Sequence, residues 1–248
     1  MEEFIVRRLN SQQYHVAFDQ WQQILATAAI VFISWSFAPF SYAVGVSGTH
    51  FNAHMGMLFL YEFLIAYSLV LLLKHRFQAP LAWPLLGLSA LCAIAGFITT
   101  PLVMLLLLLL PLFTVLLTWP TLQLQNELGL FTCGALLMLT VPVGVAYTSL
   151  HFISWEIVTY LLPVMTTTWC FWAPFFMPRS NRRALVMLIA LLILLISLLS
   201  HPLRWPILAA GLISLGWWLF TMYKKTPEPS LLLTCLTQML VIVFTYWS

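Results

Sequence analysis

Nine long apolar runs follow one another between Ile24 and Tyr246, divided by short polar segments. A transmembrane helix needs about 20 consecutive, mostly apolar residues, because the hydrocarbon core is about 30 Å thick and a helix rises about 1.5 Å per residue. Within that core every backbone N–H and C=O must be satisfied internally, so such runs are expected to be helices. They are Ile24 to Val46, His54 to Leu73, Leu81 to Ile98, Leu102 to Leu117, Leu128 to Ser149, Ile153 to Phe176, Ala184 to Ser200, Trp205 to Tyr223 and Leu231 to Tyr246. The third and fourth form one stretch too long for a single crossing, cut at Thr99-Thr100-Pro101. Proline disfavours helix in the residue before it, so a turn is expected there. The expected fold is all-α: a polytopic integral membrane protein with about nine transmembrane helices. Residues 1–23 form a cytoplasmic or interfacial N-terminal segment, and residues 24–248 a single helical membrane domain.

Composition closes other routes. The chain is 62% hydrophobic and 7% charged, against about 25% charged in a soluble domain. Little is left for an extramembrane catalytic domain or a nucleic-acid module. Cys92, Cys133, Cys170 and Cys235 sit singly in apolar runs, without zinc-ligand spacing, and read as small hydrophobes. The sequence has no acidic pair to hold a magnesium diphosphate, no Gly-x-Ser-x-Gly elbow and no lysine inside a run. The chain is therefore expected not to be an enzyme.

The few charges orient the chain. Lys and Arg collect in cytoplasmic loops. With the N-terminus inside, Arg7, Arg8, Lys74, Arg76, Arg179, Arg182, Arg183, Lys224 and Lys225 all fall on the cytoplasmic side, and Arg204 alone falls outside. The C-terminus is then outside, and the expected location is a bacterial plasma membrane.

The same topology gathers histidines. His50, His54, His151 and His201 all fall at the outer face, each near the end of a run. His50 and His54 are spaced i,i+4 and share a face if the helix begins early. Met55 and Met57 follow, and imidazole with thioether suits copper better than magnesium or calcium. His50, His54, Met55 and His151 are the candidate metal ligands, with Glu156 or His201 as a fourth ligand or a supporting group. The competing reading is a set of interfacial histidines with their polar tips among the headgroups.

Two acids lie inside runs. Glu62 is near the middle of the second, and Glu156 is near the outer end of the sixth. Ionisable groups at membrane depth are costly and mark function by default. No basic residue lies at the depth of Glu62, so it is expected to be protonated or hydrogen-bonded to Thr and Tyr hydroxyls. Thr166-Thr167-Thr168 reads as helix packing, and Pro142 and Pro163 as kinks.

Several stretches carry a family likeness: Phe51-Asn52-Ala53-His54-Met55, then Val141-Pro142 with Tyr147, then His151, then Phe171-Trp172-Ala173-Pro174. Over roughly residues 35 to 185 the chain resembles the CtaG family of cytochrome c oxidase assembly factors. Leu58 and Thr140 stand where that family carries histidines. The resemblance implies a polytopic protein that helps deliver copper to the oxidase at the outer side, with His54, Met55 and His151 at family positions. The function expected is thus a membrane accessory or assembly factor of a respiratory oxidase. Two alternatives stand beside it. One is a non-catalytic subunit of a larger membrane complex that binds partners, lipid, quinone or haem b. The other is a small-solute permease with Glu62 in its path. The expected partners are the lipid bilayer and other membrane proteins, with no nucleic acid.

Overall fold

The computed structural model describes residues 18–47, 53–150, 155–223 and 229–247. Ten α-helices run through them: α1 Phe18–Ser47, α2 Ala53–Lys74, α3 Ala82–Phe97, α4 Pro101–Leu117, α5 Glu127–Leu150, α6 Trp155–Tyr160, α7 Leu162–Phe176, α8 Asn181–Leu199, α9 Trp205–Tyr223 and α10 Leu231–Tyr246. A single 3-10 turn, Pro120–Leu122, lies before α5, and no strand occurs among the described residues. Each apolar run is a helix, and the sixth is two.

The break in the sixth run falls at Leu161. Pro163 has no N–H to give to the Thr159 carbonyl, and its ring crowds that carbonyl. Pro39, Pro111, Pro142 and Pro174 lie inside continuous helices, so Pro163 interrupts its run while Pro142 does not. The first helix also departs from expectation. It starts at Phe18, within the segment expected to be separate, because no breaker lies between Phe18 and Ile24. Trp21 in this early turn stacks on Tyr67 of α2, with ring centroids 6.3 Å apart.

Among the described residues five helices are long and apolar enough to cross a membrane: α2, α8 and α9 along their length, α1 over Trp21–Ser41 and α5 over Glu127–Val145. Helices α3, α4 and α10 are equally apolar but only 16, 17 and 16 residues long, which corresponds to roughly 25 Å of helix. This is the architecture of a helical membrane protein. Helix α2 is its centre, enclosed by α1, α3 and α5. Helices α8 and α9 lie at the edge, with Leu192, Ile196, Leu208 and Leu212 exposed. In water such a surface would be unstable; against hydrocarbon it is solvated.

The helix ends sort into two groups. At one end Arg182 pairs with Glu127 at the start of α5, and Arg179 donates to the Met222 carbonyl near the end of α9 at 3.2 Å. Arg76 and Arg183 lie at this end too. At the other end His54 meets Gly96, and Tyr160 meets His201 and Tyr246. The ends are called the arginine end and the histidine end below.

Candidate functional site

His54 is the second residue of α2. Its Nδ1 lies 2.7 Å from the carbonyl oxygen of Gly96, one residue from the end of α3. A carbonyl only accepts, so Nδ1 carries the proton, and in the neutral ring Nε2 keeps its lone pair. The last carbonyls of a helix have no partner within it, and here the imidazole supplies one. Gly96 makes the approach possible: a Cβ there would stand 3.0 Å from the Cβ of Met57. Met57 follows His54 by three residues, so both side chains lie on the α2 face that meets α3. The His54 ring is exposed and sits 6.1 Å from the Phe97 ring.

The other sequence candidates are placed differently. Met55 is buried in the core, away from the exposed His54. His50 and His151 lie outside the described residues. Glu156 is exposed in the first turn of α6. Among the described residues, no group of three or more His, Cys, Asp or Glu side chains is arranged to hold a metal ion.

His201, just past the end of α8, has a contrasting setting. Its Nδ1 is 3.3 Å from the Ser197 carbonyl and 3.3 Å from the Ser200 hydroxyl. Its ring sits between Tyr160 and Tyr246, with centroids at 5.3 and 5.6 Å. Tyr246 in turn donates to the Tyr160 carbonyl at 2.7 Å. Nε2 is buried and has no hydrogen-bond partner in the structure. Burial pushes the His201 pKa below the usual imidazole value, and the hydrogen bond to the Ser197 carbonyl works against that shift.

Two polar side chains lie deep between helices. Gln238 of α10 is satisfied: it accepts from Trp172 Nε1 at 2.8 Å and donates to Thr168 Oγ1 at 3.3 Å. This joins α10 to α7, and the Thr166, Thr167 and Thr168 hydroxyls also bond back to α7 carbonyls. The threonine run therefore packs helices together, as its spacing suggests. Glu62 is fully buried in α2, and neither carboxyl oxygen closes a hydrogen bond. Of the two expected states, a protonated carboxyl or one hydrogen-bonded to Thr and Tyr hydroxyls, the second is not formed; the hydroxyl beside it is that of Ser36 in α1. The neighbouring Tyr61 hydroxyl donates instead to the Leu107 carbonyl at 2.6 Å.

Sequence reading missed Gly96, Gln238 and Ser36. Gln238 carried a signal, because it is the one glutamine inside an apolar run. Comparison of the chain with protein-family models, with curated proteins and with solved structures returned no match.

Proposed function

We propose that the protein is an accessory or assembly factor of a respiratory oxidase that handles copper at the outer face of a bacterial plasma membrane. In this reading the chain crosses nine times, with its N-terminus inside and the arginine end cytoplasmic. The His54 imidazole carries the proposal. Ligating histidines are typically held by an Nδ1–H bond to a carbonyl or carboxylate, which fixes the tautomer and aims Nε2 at the metal. The bond from His54 to Gly96 has that form, and the ring is exposed at a helix end. The Met57 thioether on the same face adds a soft ligand suited to Cu(I). The reading also assigns His50 and His151 as ligands, on their sequence positions alone. Met55, placed in the core, supports packing instead. The assignment to oxidase assembly rests on the likeness to the CtaG family.

The test is copper retention by the purified protein and by His54→Ala and His151→Ala. Retention in the wild type that falls in both variants supports the reading, and equal retention removes it. A second reading rests on Glu62, a buried carboxyl without a hydrogen-bond partner in the most enclosed helix. It makes the helix interior a proton or solute path. Uptake into vesicles that is lost on Glu62→Gln supports this reading, and uptake unchanged by the substitution dismisses it.

A further inference from the structure

Glu62 of α2 is 0% exposed, and both its carboxyl oxygens are buried without a hydrogen-bond partner. The Ser36 hydroxyl of α1 beside it is also buried and unpartnered. The register of α1 on α2 accounts for the pair. Trp21 stacks on Tyr67, and the Phe32 ring lies edge-on to Phe59 and Phe63, with centroids at 5.9 and 6.0 Å. The two helices therefore run antiparallel. Ser36 is one turn on from Phe32, and Glu62 is one turn on from Phe59. Side chains lean toward the N-terminus of their helix, so on antiparallel helices these two lean toward each other. Phe32, Phe59, Phe63 and Ser36 are half-buried. The seam between α1 and α2 thus reaches the surface that hydrocarbon covers, and Glu62 lies just behind it.

No positive charge comes from the helices around the carboxyl. Helices α1, α3, α4 and α5 contain no Lys, Arg or His. Their titratable side chains are Asp19, Tyr42, Cys92, Glu127, Cys133 and Tyr147, and none of them is a cation. On α2 itself, His54 and Lys74 are roughly 12 and 18 Å away along the axis. The adjacent Tyr61 hydroxyl is engaged by the Leu107 carbonyl.

We infer that Glu62 is a proton-binding site, a carboxylic acid closed to water and open to apolar carboxyl reagents from the bilayer. This deepens the second reading above, on which it rests for the placement of Glu62 within the membrane, by naming the proton as what the carboxyl takes. A lone carboxylate in a dry interior is costly. A proton removes the charge and supplies an O–H that the Ser36 oxygen can accept. A hard cation such as calcium takes about six to eight oxygens, whereas the unpartnered oxygens here are two carboxyl and one hydroxyl.

The test treats the full-length protein, in vesicles of phosphatidylcholine and phosphatidylglycerol, with dicyclohexylcarbodiimide. The acid proton passes to a carbodiimide nitrogen, and the carboxyl oxygen adds to the central carbon. The acyl group then shifts from oxygen to nitrogen, and the N-acylurea keeps every atom of both reactants. Peptide mass spectrometry reads the adduct. Labelling of Glu62 should change less than about twofold between roughly pH 6 and pH 8, whereas an ordinary carboxyl loses about tenfold of its protonated form per pH unit. The exposed Glu156 supplies that comparison. A water-soluble carbodiimide should label Glu156 and not Glu62. Glu62→Gln keeps the shape of the neutral acid and should remove both the adduct and the carboxylic C=O infrared stretch. Ser36→Ala should shift that stretch. Ser34→Ala, whose hydroxyl donates to the Val31 carbonyl at 2.7 Å, should leave it in place. The inference is overturned by no adduct at Glu62, by an adduct that falls with pH as at Glu156, or by protection with sodium or calcium ions. An adduct together with vesicle uptake unchanged by Glu62→Gln dismisses the path and keeps the proton site.

Discussion

His54 and His201 lie at the same end of the molecule and are held in the same way, each with Nδ1 near the carbonyl of a residue in the last turn of a helix. They differ in what surrounds Nε2. That of His201 is buried among tyrosines, while the His54 ring is exposed, with Met57 three residues on along the same helix face. One hydrogen-bond device thus serves two ends. Where the second nitrogen is enclosed, the ring is part of the packing. Where it is open, the ring is the one the proposal makes a ligand, with its tautomer already set. A sequence shows two histidines near run ends and cannot tell them apart, because the difference lies in what the neighbouring helices bring.

Substitutions separate the two. The largest effect is expected from His201→Ala, which leaves a void between Tyr160 and Tyr246 and lowers stability by about 2–3 kcal/mol. Copper retention should be unchanged, and a denaturation curve with a metal assay reads both. Gly96→Ala pushes a Cβ against Met57 and costs about 1–2 kcal/mol. By shifting the carbonyl that orients His54, it also weakens copper binding about tenfold. His54→Ala reverses the pattern of His201→Ala: stability changes by about 0.5–1 kcal/mol, the net worth of one hydrogen bond, while copper retention is lost.

The smallest effect is on acid stability. The folded protein holds the His201 pKa below 6.5, so below pH 6.5 the unfolded chain takes up a proton that the folded one refuses. Stability is full above that pH and falls as pH drops through the window beneath it. A thermal-shift series across pH should show the loss in the wild type and a flatter curve in His201→Phe.

The helices were legible because a bilayer leaves an apolar run few alternatives. Their boundaries were less so. Pro142 and Pro163 look alike in sequence, yet only the second divides its run, since a helix can absorb a proline when the freed carbonyl finds another partner. The site was partly legible. His54 stood out as a histidine at the head of a long run, but its partner Gly96 is 42 residues away and depends on the register between α2 and α3. The i,i+1 pair His54-Met55 suggested two ligands together. Successive helical residues point about 100° apart, and the structure sends Met55 to the core and leaves Met57 on the face of His54. Glu62 was visible as an acid inside a run, whereas its neighbour Ser36 required the packing of α1 on α2.

The central claim is that His54 is held as a copper ligand. Its most direct test is the copper-to-protein ratio after anaerobic Cu(I) loading and removal of loosely bound metal. The wild type and His201→Phe should retain copper to the same degree, and His54→Ala should lose it. Equal copper in the wild type and His54→Ala would contradict the account.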